Sequence, residues 1–126
     1  MENSKNLGPE NTNWDAYIPR QTQFPTKNIP LEEIVSTLSK SQRERLTSGY
    51  DMKNFARIFE HGDLMTAVDC FFENGMNISE TARKLYMHRN TLIYRLNKIQ
   101  KTTGIDLRNF EMAVTFQILR VLYEQK

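Results

Sequence analysis

The side chains between Asn77 and Lys101 are the ones in this sequence with the chemistry to read a polyanion. Arg89 and Asn90 stand side by side where a helical repeat of Leu92, Leu96 and Ile99 begins. A guanidinium can hold O6 and N7 of guanine together, and a carboxamide can hold N6 and N7 of adenine, so this pair suits base edges. His88, Ile93 and Tyr94 are close enough in sequence to join them as base-facing residues. Further along, Arg95, Asn97, Lys98 and Lys101 suit phosphate oxygens, and no acid interrupts the stretch. Ser79, Thr81 and Thr91 add hydroxyls near two helix starts, where free backbone N–H groups also favour phosphate. Two of these residues keep a second reading. His88 can be a turn residue that caps the following helix, and Tyr94 can pack beneath the turn instead of touching a thymine methyl or a phosphate.

Two short helices must position these groups. Ile78, Ala82 and Leu85 define the first, with Ser79 as a candidate N-cap; Leu92, Leu96 and Ile99 define the second, which ends at Gly104. A connection of about three residues forces the pair to cross steeply, so the contact needs a small side chain, which Ala82 supplies. Leu85 and Met87 close the wedge against Leu92 and Leu96. In a helix-turn-helix the second helix reaches bases with its N-terminal residues while the first lies across the backbone. The segment from about 78 to 103 fits that arrangement.

Upstream, the apolar period is again helical. Leu31, Ile34, Val35 and Leu38 form a stripe opened by Pro30, Glu32 and Glu33. A basic stretch through Arg43 and Arg45 carries Leu46 towards Gly49, and Met52, Phe55, Ala56 and Phe59 follow, closed by His61 and Gly62. An imidazolium at His61 would suit the negative end of that helix. Leu64, Met65, Val68, Phe71 and Phe72 make the strongest stripe, closed by Asn74 and Gly75. A final helix from about Asn109 to Tyr123 is apolar on two sides, and its face of Phe116, Leu119 and Tyr123 is expected to meet a second copy rather than only complete one core. The class is all-α: a helical domain over 29–126 preceded by a largely irregular tail or linker over 1–28. All four prolines lie in the first thirty residues. Trp14, Tyr17, Ile18 and Phe24 are too many large apolar groups for a fully solvated tail, so part of it is expected to dock on the domain or on a partner.

Charge and composition narrow the function classes. The net charge of the 126-residue chain is only +2, but it is unevenly spread: basic residues dominate between Asn77 and Arg108, and acids outnumber them between Leu31 and Asn74. A basic third on a mildly acidic body suggests one face built for a polyanion. Cys70 is the sole cysteine, and with only His61 and His88 beside it neither a disulfide nor a zinc cluster can be drawn. No cofactor is expected. No apolar run approaches the ~18 to 20 residues of a membrane span and no secretory signal opens the chain, so a cytoplasmic location without a membrane partner is expected. A glycine-rich phosphate loop and a nucleophile–base set are both lacking, which argues against an enzyme.

The string Asn77-Ile-Ser-Glu-Thr-Ala-Arg83, then His88-Arg-Asn-Thr-Leu92 and Tyr94-Arg-Leu96, then Thr103-Gly-Ile-Asp-Leu-Arg108, resembles the C-terminal DNA-binding domain of the PucR and CdaR (sugar diacid regulator) family of bacterial transcription regulators. The resemblance covers about residues 62 to 123 and implies a Fis-like helix-turn-helix whose recognition helix opens with Arg89 and Asn90. It implies sequence-specific binding of double-stranded promoter DNA; because one such helix reads too few base pairs, a homodimer is expected. Ligand sensing in such families belongs to a large N-terminal region absent here, so no small molecule is expected on this chain, which is either a piece of a longer regulator or a short protein lacking that region. Ile93 stands where the family commonly carries a basic residue. That departure motivates the alternative of a helical dimerisation or adaptor module that keeps the fold without strong DNA binding.

Overall fold

A computed structural model describes residues 28–126. The expectations for the tail, with Trp14, Tyr17, Ile18 and Phe24, lie outside the described residues. Those residues form seven helices and no strand: α1 (Leu31–Ser36), α2 (Lys40–Thr47), α3 (Met52–Phe59), α4 (Gly62–Glu73), α5 (Ile78–Lys84), α6 (Arg89–Thr103) and α7 (Phe110–Glu124). The all-α class expected from periodicity is the class observed.

Helix α7 packs on α1, α2 and α3, and α3 reaches across to α4 and α6; α4 in turn carries α5, which crosses α6. The core is continuous through these contacts. Phe55, Phe71, Leu92, Leu96, Ile99, Leu107, Phe116 and Leu119 are all buried, and each such side chain removed from water contributes about 1.5 to 3 kcal/mol. An aromatic cluster fixes α3 against α7. Phe59 meets Phe116 edge-on with ring centroids 5.2 Å apart, and the Tyr123 ring lies tilted with its centroid 5.4 Å from that of Phe59.

That cluster corrects the expectation for the last helix. Phe116 and Leu119 are buried in the chain's own core and the half-buried Tyr123 packs against Phe59, while the exposed apolar groups of α7 are Phe110, Met112 and Val114. The reason is that α1, α2 and α3 together cover the Phe116 face, leaving no second core for a partner to complete. Likewise Ile34, expected in the first stripe, is half exposed, because the six residues of α1 bury little besides Val35.

Local signals explain the remaining elements. Helix α2 buries no residue but opens with a capping box: Gln42 N–H donates to Ser39 Oγ (3.2 Å) and Ser39 N–H donates to Gln42 Oε1 (2.8 Å). Arg43 ties it down, donating to the carbonyls of Val35 (2.7 Å) and Leu38 (3.1 Å) and to Gln125 Oε1 (3.1 Å). His61 corrects a second expectation. It does not close α3, whose C-cap is Glu60, but N-caps α4, its Nδ1 accepting from Leu64 N–H at 3.2 Å. The role drawn from sequence, at the end of α3, is thus replaced by a capping one at the start of α4. On the far side of α4, Arg120 of α7 grips Asp69 through both guanidinium Nη atoms, at 2.6 and 3.2 Å. The hydrogen bond that Arg120 donates to Asp69 chiefly raises its already high pKa, outweighing the effect of burial.

Candidate nucleic-acid interface

Helix α5 starts at Asn77, whose Oδ1 accepts from Glu80 N–H at 2.8 Å. Asn77 is therefore the N-cap in place of Ser79, which sits in the first turn with its hydroxyl exposed. Two residues later the polarity of a side chain misleads. Thr81 is fully buried, its hydroxyl donating to the Asn77 carbonyl at 2.7 Å, so it cannot reach a phosphate and leaves the set of backbone-contacting residues. Thr81 and Ala82 form the inward side of α5 where α6 crosses it.

The turn between the helices is tight. Tyr86 takes a left-handed φ of 55°, and Met87 N–H donates back to the Ala82 carbonyl at 3.0 Å. The Tyr86 ring projects into solvent. His88 then caps α6, its Nδ1 accepting from Asn90 N–H at 3.1 Å, so the capping reading of this residue describes its geometry while its outer ring edge stays exposed.

Leu92, Leu96 and Ile99 anchor α6 and determine which residues face outward. At about 100° of rotation per residue, Asn90, Tyr94, Asn97 and Lys101 lie along the line opposite the buried stripe. All four are exposed. Tyr94 is 66% exposed, which removes the alternative that it packs beneath the turn. Lys98 flanks this line and is exposed; Ile93 and Arg95 lie nearer the core and are half-buried. Arg89 is turned about 100° away from Asn90. It leans toward α5, where its Nη1 donates to Ser79 Oγ at 3.1 Å. Two residues expected to touch phosphate or bases independently are thus joined, and the link connects the first turns of the two helices. Thr91 is exposed beside them.

Two bases counted in the cationic third are already partnered. Arg83 is paired with Glu80 one turn back on α5, a hydrogen bond that lowers the Glu80 pKa and raises that of Arg83. Arg108 folds onto Asp106 (Nε to Oδ1, 2.6 Å) and donates from Nη2 to Asn97 Oδ1 (2.8 Å) and Gln100 Oε1 (3.1 Å). Burial by itself raises the Asp106 carboxyl, but the hydrogen bonds from the Arg108 side chain and backbone, with its charge, hold it below the usual carboxylate range. This brace was not foreseen. It orients the Asn97 carboxamide and ties the 104–109 loop to the second half of α6. Within α6 itself Arg89, Arg95, Lys98 and Lys101 meet no acid, since the helix contains none. The arrangement is a cationic rod, fixed in tilt by α5, with a carboxamide and a phenol at its outward centre.

Residues 64–119 match the family model of the PucR C-terminal helix-turn-helix domain. This stretch belongs to that family. The match begins in α4 and ends in α7, so the PucR-type unit includes the supporting helices as well as the crossing pair. An uncharacterized protein of Bacillus subtilis (strain 168), YxkF, is 30% identical over 98 residues, covering 72% of this chain and 33% of its own length. The carbohydrate diacid regulator of Escherichia coli (strain K12) is 35% identical over 66 residues, 52% of this chain and 17% of that protein. The purine catabolism regulatory protein of Bacillus subtilis (strain 168) is 37% identical over 59 residues, 47% of this chain and 11% of that protein. This chain spans a third or less of the length of these relatives.

Proposed function

We propose that the chain is the DNA-binding part of a bacterial transcription regulator, and that it recognises a promoter sequence by seating α6 in the major groove. The observation that carries this reading is the outward face of α6: free of acid, cationic along its flanks, and held at a fixed angle by the burial of Leu92, Leu96 and Ile99 against the rest of the domain. The names of the carbohydrate diacid and purine catabolism relatives support regulation as the context.

In this reading Asn90 and Tyr94 face base edges, with His88 and Ile93 at the margins of the contact. Arg89 works from the helix start, its guanidinium held by Ser79 so that its remaining N–H groups present to guanine or to a phosphate. Ser79, Thr91, Arg95, Lys98 and Lys101 serve the backbone, and Asn97 contributes through its amide nitrogen because its oxygen is already occupied by Arg108. Double-stranded DNA is the partner, and two copies of the chain bind together.

The deciding experiment is selection of binding sites from random duplexes, repeated with Asn90→Ala and Arg89→Ala. The expected result is an enriched motif for the unaltered chain that loses definition at separate positions in each variant. Recovery of no motif at any salt concentration, with the protein folded, would leave the adaptor reading in possession of the fold.

A further inference from the structure

A groove runs between α2, α3 and the last turn of α7, away from the residues assigned to DNA. Its apolar lining is Met52, Ala56, Leu122 and Tyr123, and the exposed ammonium groups of Lys40 and Lys53 stand along it. The described chain enters beside this groove. Gln125, which lines it, donates from Nε2 to the carbonyl of Glu32 at 3.0 Å, only four residues after Asn28. The sequence before Asn28 carries a compact apolar group, Trp14, Tyr17 and Ile18, with a carboxylate, Asp15, inside it.

Reach does not limit their meeting. The ten residues from Ile18 to Asn28 can extend to roughly 33 Å, while a domain of this size has a radius of gyration of about 13 Å. The chemistry also matches: aromatic and branched side chains fit the apolar lining, and the charged lining is mostly basic, with Lys40, Arg43, Lys53 and Lys126 against the acid Glu44, so Asp15 meets a net positive rim. We propose that the segment 14–18 of the same chain seats in the groove between α2, α3 and α7, with Asp15 facing Lys40 and Lys53. This surface is separate from α6, so the inference stands or falls independently of DNA recognition.

Trp14 is the only tryptophan, so fluorescence excited at the red edge, where tyrosine does not absorb, reports on this segment alone. In the full chain its emission is expected to be blue-shifted and shielded from acrylamide. Ala56→Arg, which fills the groove with a charge, is expected to shift the emission to that of free indole in water and restore full quenching, with far-UV circular dichroism unchanged. Because Ala56 is half-buried, a second variant guards the test. Lys40→Glu with Lys53→Glu is confined to exposed positions and is expected to expose Trp14 partly, and Asp15→Lys in that background is expected to shield it again. Unhindered quenching of Trp14 in the unaltered chain overturns the proposal. So does shielding that persists in both groove variants while they remain folded. Shielding that appears only as protein concentration rises assigns the groove to the segment of a second copy, which also overturns it.

Discussion

At the scale of single residues, the candidate interface divides into groups that distinguish base pairs and groups that add charge, and the two predict different measurements. Replacing Asn90 by Ala is expected to cost about 1 to 3 kcal/mol on the preferred site and to relax the preference at one base pair, because a carboxamide reads adenine through two directed bonds. Lys101→Ala is expected to weaken all duplexes alike and to reduce the slope of log K against log salt by about one unit, the signature of one lost phosphate contact. A titration at several salt concentrations separates these outcomes; equal salt slopes for Lys101→Ala and the unaltered chain place that ammonium off the DNA. Thr81→Val offers the contrasting case. Removing a buried hydroxyl bonded to the Asn77 carbonyl is expected to cost about 1 kcal/mol of folding stability and leave DNA affinity unchanged, as chemical denaturation and a binding isotherm would show. Much at this scale was readable in advance. The spacing of Leu92, Leu96 and Ile99 determines which residues of α6 point outward, so the exposure of Asn90, Asn97 and Lys101 follows from arithmetic. Thr81 was misplaced because residue type alone does not tell whether a hydroxyl is satisfied one turn back. His61 was misplaced because a ring between two helices can serve either one, and only the accepting geometry toward Leu64 decides.

At the scale of elements, the ends of helices matter more than their middles. Helix α6 stops at Gly104, where φ is 83° and an added Cβ would meet no atom within 4 Å. The cost of Gly104→Ala is therefore backbone strain alone, about 1 to 2 kcal/mol, and Gly104→Asn should recover part of it because Asn tolerates the left-handed region. Thermal denaturation of the pair checks this, and a silent Gly104→Ala would mean that the turn relaxes without the left-handed residue. The following loop is held by Asp106 and Arg108. Since the Asp106 carboxyl is held below its unfolded value, the stability it contributes is present above the ordinary carboxylate range, about pH 3.9, and is lost as pH falls through the lower folded value. Asp106→Asn is expected to remove that acid-side loss and to loosen Asn97 through Arg108. Denaturant midpoints measured across mildly and strongly acid pH would test it, and identical acid profiles for the two proteins count against the brace. The crossing pair and the strong α4 stripe were legible from periodicity, and the Gly104 stop from residue type. The capping box of α2 is written in Ser39 and Gln42, but this helix has no apolar stripe to mark it as a helix in the sequence. The Arg108 brace links residues eight and eleven positions apart through a loop, and no local repeat encodes such a contact.

At the scale of the whole molecule, the fold bears on how many copies reach DNA. One α6 spans about 22 Å, at 1.5 Å per residue over the 15 residues of the helix, and in the proposed binding mode only its first turns would approach base edges, so a single domain would contact few base pairs. Specific control needs more, and two copies on half-sites about one helical turn apart, ~34 Å, would supply it. The sequence had placed the shared surface on the Phe116 face of α7; with Phe116 and Leu119 buried under the chain's own helices, the exposed apolar groups on α7 are Phe110, Met112 and Val114, of which Phe110 and Val114 lie one turn apart. The expected outcome is a complex of two chains per duplex on a site with two related halves, measured by analytical ultracentrifugation of protein with a fluorescent duplex. Inserting five base pairs between the halves rotates one half-site by about half a turn of the duplex and should abolish cooperative binding, while ten should restore it in part. If a single chain saturates the selected duplex and the insertions change nothing, each domain recognises its site alone, and the specificity must come from α6 together with DNA shape read by Arg89 and the flanking lysines.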